Sequence, residues 1–265
     1  MADNGTLAVS RDGRGIATVA LDRPAMRNAM NPALMDALTA AITELGADPA
    51  VRAIVLCGNG PVFCAGADLN WMRDTEGASA QDVAADSRRL QSMYAALASC
   101  PKMTIARIHG AAMAGGLGLV GCCDVAVAAS GTKFCLSEVR IGLAPGIISS
   151  FLLPKIGPGW LRYFAIGAIV FGTEEATRAG LIHQTAADEA DLDARVQAHC
   201  RLALAASPEA IAATKALLAD MAAAPEAALF ETALSWNVRT RTSDAAKEGI
   251  AAFLERRKPR WVGGE

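Results

Sequence analysis

Aromatic side chains are scarce in this sequence, 5% of 265 residues, and histidine is scarcer still at 3. No Ser-His-Asp order and no metal-ligand spacing appears, so neither a triad hydrolase nor a metal site is expected. A charge excess is lacking too, with a formal net charge of -2. That leaves no electrostatic footprint for nucleic acid or an anionic membrane. The short basic tail "ERRKPRW" reads as a solvated helix end. No apolar run reaches the roughly 18 residues of a membrane span, and "MADNGTLAVS" lacks the charged-then-apolar order of an export signal. A cytoplasmic protein is the expectation. The 7 cysteines include no C-x-x-C pair, and their odd number argues against a disulfide framework. Most lie in apolar runs, where a buried free thiol is the ordinary state.

What is abundant is apolar mass, 52% of the chain, enough for a sizeable core. "GIATVALDRP" reads as a strand ended by proline. "NPALMDALTAAITELG" predicts a helix with Asn31 as N-cap, Pro32 in the first turn and Leu34, Leu38, Ile42 and Leu45 on its buried face. "VRAIVLCG" is a short strand, and 73–80 a polar, mobile stretch. Residues 80–98 place Val83, Leu90, Met93, Tyr94 and Leu97 at helical spacing. "KMTIARIHG" and "DVAVAA" are further strands, and "KFCLSEVRIGLAP" a short strand and a loop. After about residue 200 only helices follow, beginning with Ser207 as N-cap and Pro208 behind it. The expected organisation is an α/β core over 1–200 and a helical C-terminal region over 201–265.

Two segments share one logic. Strand 51–57 runs into "NGPVFCAGADL", and strand 103–108 into "HGAAMAGGLGL". Each is a strand, a glycine-bearing turn and a helix start. The first N–H groups of a helix have no partner within it, and the helix dipole adds partial positive charge there. Two such ends brought together would hold a developing oxyanion. The second stretch carries Gly115, Gly116, Gly118 and Gly121, although each glycine costs a helix about 0.5–1 kcal/mol against alanine.

"VFCAGADLNWM", "HGAAMAGGLGLVGCCDVAVAA" and "FCLSEVRIGLAPG", in that order, closely resemble the crotonase (enoyl-CoA hydratase/isomerase) family. "LDRPAMRNAM" and "EGIAAFLERRKP" are also similar to it, so the resemblance spans about residues 7–260. It implies a crotonase-like spiral of ββα units with a helical C-terminal region that builds homotrimers, often paired as hexamers. It implies that the amides of Ala67 and Gly115 form an oxyanion hole for a CoA thioester, and that Glu138 is the acid/base. Arg23, Pro24 and Met26 would line the CoA chain, with Ala65 and Leu69 near the adenine. Asp68 beside the hole is expected to cap a helix. Phe253 and Arg256 would complete the CoA site, in trimers often from a neighbouring copy. The acyl-CoA is the substrate, and no cofactor is implied.

Family hydratases commonly add a second glutamate three residues after the oxyanion glycine, where this chain has Gly118. Residues three apart share a helix face, so a side chain at 118 would point at the substrate. Gly118 leaves open an isomerase moving a double bond from Δ3 to Δ2 with one carboxylate, a hydratase whose substrate needs the space, and an acyl-CoA-binding member without catalysis. "CLSEVRIGLAP" and "GLGLVGCCD" look most like the bacterial methylglutaconyl-CoA hydratase group, which includes hydratases of acyclic-terpene breakdown acting on carboxylated enoyl thioesters. A role in fatty-acid or leucine breakdown would follow. On that reading glutamate at 118 should help a simple hydratase and hinder a bulky substrate, and Arg140 would meet a distal carboxylate. His109 and His183 read as a turn and a strand-edge residue.

Overall fold

The computed structural model describes residues 5–74 and 77–263. Part of the polar stretch expected to be mobile, Thr75 and Glu76, lies outside them. Each turn of the chain contributes one long strand to a main sheet, one short strand or bridge to a second layer, and then a helix. β1 (Leu7–Arg11) and β2 (Ile16–Leu21) form an antiparallel pair. From β2 onward the main sheet is parallel, through β3 (Ala53–Gly58) and β4 (Met103–Ile108). β6 (Val125–Ala129) and β8 (Gln184–Ala186) complete it, in the order β1-β2-β3-β4-β6-β8. β2, β3 and β6 are nearly continuous apolar runs because both faces are covered by other elements.

The second layer is small. β5 (Ala111–Met113) pairs in parallel with β7 (Lys133–Cys135). Single bridges Met30↔Ala67, Cys64↔Ala112 and Phe134↔Phe171 extend it on both sides. This is the ββα spiral.

The helices form where their ends are satisfied. In α1 (Pro32–Ala47) the Asn31 side chain accepts from the Leu34 amide at 3.0 Å, and the four leucine and isoleucine positions named above are buried. α2 (Leu69–Asp74) is a short turn of helix. α3 (Ala80–Ser99) starts on a reciprocal Ser79/Asp82 box and buries Met93, Tyr94 and Leu97, whereas Val83 is exposed. α4 (Gly115–Cys122) is sheathed on all sides. α5 (Gly146–Ile166) bends at Gly157, and α6 (Thr173–Arg178) leads to β8. α7 (Glu189–Ala205) runs across residue 200 and packs on the main sheet. The Asp124 carboxylate takes the Thr104 amide at 2.7 Å and Lys215 at 2.6 Å, tying β4 to α8 (Pro208–Ala223).

α8 and α9 (Leu229–Arg241) bury no residue fully, and α10 (Asp244–Leu254) buries only Ala252. Phe230, Ile250, Phe253 and Leu254 stand exposed on this layer, Phe253 at 83%. Among the described residues no single helix is long and apolar enough to cross a membrane.

Candidate active site

Two backbone turns carry the site. The first follows β3. Asn28, fully buried in a left-handed conformation (φ 56°), donates to the carbonyls of Asn59 and Val62 at 2.9 Å each. Its side-chain oxygen accepts from the Arg23 amide at 2.9 Å. One amide thus ties the entry segment to the loop after β3. Farther on, the Met30 amide donates to Gly66 at 2.7 Å and the Asp68 amide to Met30 at 2.9 Å. In a parallel bridge of this kind the peptide N–H of Ala67 faces away from Met30. It has no acceptor among the described residues.

The second turn joins β5 to α4. Ala114 sits at φ 45°, ψ -119°, a combination an L-residue seldom adopts. Its own amide is held by the Cys135 carbonyl at 2.7 Å. The strain aims the next amide, Gly115, outward at the positive end of the helix, where no described residue accepts it. The turns touch at Gly66 (φ 94°), where an added Cβ would stand 2.8 Å from the Met113 carbonyl and 3.4 Å from the Gly115 nitrogen. Without a side chain there, the Ala67 and Gly115 amides lie on abutting backbones.

Glu138 opens a 3-10 turn, Glu138–Ile141, just after β7. Met113 and Cys135 are paired in register, which brings the Gly115 turn and Glu138 to the same end of the small sheet. The Glu138 carboxyl is buried, and neither oxygen has a hydrogen-bond partner among the described residues. Buried polar atoms are ordinarily paired. Burial pushes this carboxyl above the usual glutamate range, as befits an acid/base rather than a structural ion.

Gly118 corrects the sequence reading. The volume beside it is filled by Tyr94 of α3, and an added Cβ would meet the phenol oxygen at 2.6 Å and a ring carbon at 2.7 Å. Position 118 therefore faces a fully buried tyrosine rather than space for a substrate. The other α4 glycines have the same cause: Gly116 abuts the Cys64 carbonyl, and Gly121 abuts Leu152. Dense packing, with no room for Cβ atoms, explains this glycine-rich helix.

The remaining candidates lie in several separate places. The Arg23 guanidinium donates to the Ala29 carbonyl and pairs with the buried Asp68 at 3.0 Å. Asp68 also accepts from the Asn70 amide at 3.1 Å, an Asx turn at the start of α2. Pro24, Met26 and Leu69 are exposed and Ala65 is half-buried. Arg140 donates to the Ala168 carbonyl at 2.6 Å and has no carboxylate partner among the described residues. Phe253 and Arg256 lie on the C-terminal layer, both exposed. His109 bonds the Gly60 carbonyl, and His183 accepts from the Ala126 amide.

Asn28 and Tyr94 carry no sequence signal of a site. Asn28 announces itself only as a residue type that tolerates left-handed backbone. Tyr94 reads as one more apolar position of α3.

The enoyl-CoA hydratase/isomerase family model matches residues 11–264. The enoyl-CoA hydratase ACTT6 of Alternaria alternata is 34% identical over 203 residues, 77% of this chain and 66% of that protein. The crystal structure of an enoyl-CoA hydratase from Shewanella pealeana superposes with a TM-score of 0.91 at 32% identity, covering 97% of this chain and 96% of that one. AtuE of Pseudomonas aeruginosa gives 0.92 at 33% identity, over 97% and 100%.

Proposed function

The chain belongs to the enoyl-CoA hydratase/isomerase family, and from that premise we propose that it adds water to a 2-enoyl-CoA thioester, with a branched glutaconyl type as the substrate that Arg140 would suit. The observation that carries the proposal is the pair of amides, Ala67 and Gly115, that no described residue accepts, with the buried Glu138 carboxyl, also without a partner among the described residues, just after the strand paired with that of the Gly115 turn. The thioester oxygen accepts from both amides. Ionised Glu138 takes a proton from water as the water oxygen bonds to C3, and the electron pair of the double bond moves onto the thioester as an enolate held by the two amides. Glu138 then returns the proton to C2, so one water is added and the enzyme is restored. A single carboxyl suffices because the same proton is taken and given back.

Arg23, Pro24, Met26, Ala65, Asp68 and Leu69 border the CoA path in this reading. The exposed apolar face of α8–α10 supports a homotrimer or a hexamer of two trimers, in which Phe253 and Arg256 reach a neighbour's CoA; an arginine suits a phosphate as a charge-assisted donor.

The test is the purified protein with crotonyl-CoA, 3-methylglutaconyl-CoA and a 3-enoyl-CoA, followed by enoyl-thioester absorbance. Loss of signal from the 2-enoyl substrates is expected. A gain from the 3-enoyl substrate alone would make it an isomerase, and no change with any would refute both activities. In the same assay Arg140→Met should raise KM for the carboxylated substrate and leave crotonyl-CoA unaffected. Equal effects on both would remove Arg140 from substrate recognition.

A further inference from the structure

Gly115 and Gly116 are the two least constrained residues a helix could start with, yet the proposed hole needs the Gly115 amide held in one direction. The structure restrains this segment from two sides. Upstream, the Ala114 amide is fixed on Cys135 at 2.7 Å. Downstream, the Tyr94 hydroxyl donates to the Gly115 carbonyl at 2.7 Å. That hydroxyl also stands 3.1 Å from where a Gly115 Cβ would be. Tyr94 has no exposed surface, and its ring leans on Phe151 at 5.3 Å between centroids. The phenol therefore has one position, set by Phe151 on one side and the bare flank of Gly118 on the other.

We propose that Tyr94 is a positioning residue of the oxyanion hole: its hydroxyl clamps the Gly115 carbonyl, in the peptide that follows, while its ring takes the volume beside Gly118, so that with Ala114 held from upstream the intervening peptide, which carries the Gly115 N–H, is kept in one direction. The inference rests on the oxyanion reading given above. It also gives Gly118 a cause in this chain, since a tyrosine reaching across from α3 leaves no room for a side chain at that position. Burial first, with Cys64, Cys122 and Glu138 nearby adding to it, holds the phenol far above its ordinary range. It is a neutral donor at every working pH, so its bond to Gly115 does not titrate away.

The test is Tyr94→Phe, which keeps the ring and removes the bond. Acetoacetyl-CoA is the probe, because its acidic C2 ionises to an ultraviolet-absorbing enolate that two well-aimed amides stabilise. The spectrum is read per bound ligand, so a reduced folded fraction cannot imitate the effect. Wild type should hold a larger enolate fraction than free acetoacetyl-CoA at the same pH. Tyr94→Phe should lose that stabilisation about five- to tenfold, with kcat for hydration falling about tenfold and KM changing less than about twofold. This is below the 10²–10³ that loss of an oxyanion donor itself costs. If Tyr94→Phe matches wild type in enolate fraction and kcat, the residue only packs and the inference is overturned. If wild type itself enriches no enolate, the oxyanion reading fails, and this inference with it.

Discussion

Glu138→Gln should abolish hydration and at the same time raise the melting temperature. The loss follows from its chemistry: general acid–base groups contribute roughly 10²–10⁴ in rate, and among the described residues no other buried carboxyl is without a partner, Asp68 being held by Arg23. A fall in kcat of about 10³ or more is expected, with acyl-CoA binding retained. The gain in stability follows from burial. Both Glu138 oxygens are buried without partners among the described residues, and burial holds the folded-state carboxyl above its usual range. As pH rises past the ordinary glutamate value, the unfolded chain releases this proton first. The folded state then binds more protons, so stability falls with pH until the raised value is passed, after which it levels off. Glutamine carries no charge and escapes that loss. The difference in melting temperature between variant and wild type should therefore be small near pH 4, grow as pH rises, and then plateau. Wild-type activity should rise over the same window as the carboxylate form appears. A variant that melts below wild type at neutral pH would show that Glu138 stabilises the fold rather than burdening it.

Gly118→Ala should damage the protein, although alanine is the better helix former by about 0.5–1 kcal/mol. Its Cβ would lie 2.6 Å from the Tyr94 hydroxyl, so the ring has to move within a packed core. Overpacking of this kind costs about 1–3 kcal/mol. Urea unfolding should give a destabilisation in that range, with kcat reduced as the clamp on Gly115 shifts. Combining it with Tyr94→Leu, which shortens the opposing side chain, should shrink the cost of Gly118→Ala by 1 kcal/mol or more, the coupling expected of residues in contact. Simple additivity would mean that the two do not meet. Glutamate at 118 would bring the same Cβ against Tyr94 with a larger side chain behind it, so the expectation that it would help a simple hydratase is withdrawn.

The residues differ in how much of this the sequence reveals. The caps of α1 and α8 were legible because Asn31 and Ser207 act on amides three residues away. β5 and β7 are three residues each, too short for any periodicity, and the bridges that complete the second layer involve single residues. Glu138 has no pattern of its own, since a lone glutamate beside a strand is ordinarily a surface residue; only the resemblance marks it. Tyr94 reads from its spacing as a core position of α3, but its bond to Gly115 spans 21 residues of chain. Contacts between helices leave no trace in local spacing, so Gly118 read as a vacancy when the filling group came from elsewhere.

The central claim is that the Ala67 and Gly115 amides converge on one thioester oxygen. A crystal structure with a bound acyl-CoA tests it directly. That oxygen is expected within about 3 Å of both nitrogens, with the Glu138 carboxyl facing C2 and C3. A thioester bound with its oxygen on neither amide, or with Glu138 turned away from those carbons, would contradict it.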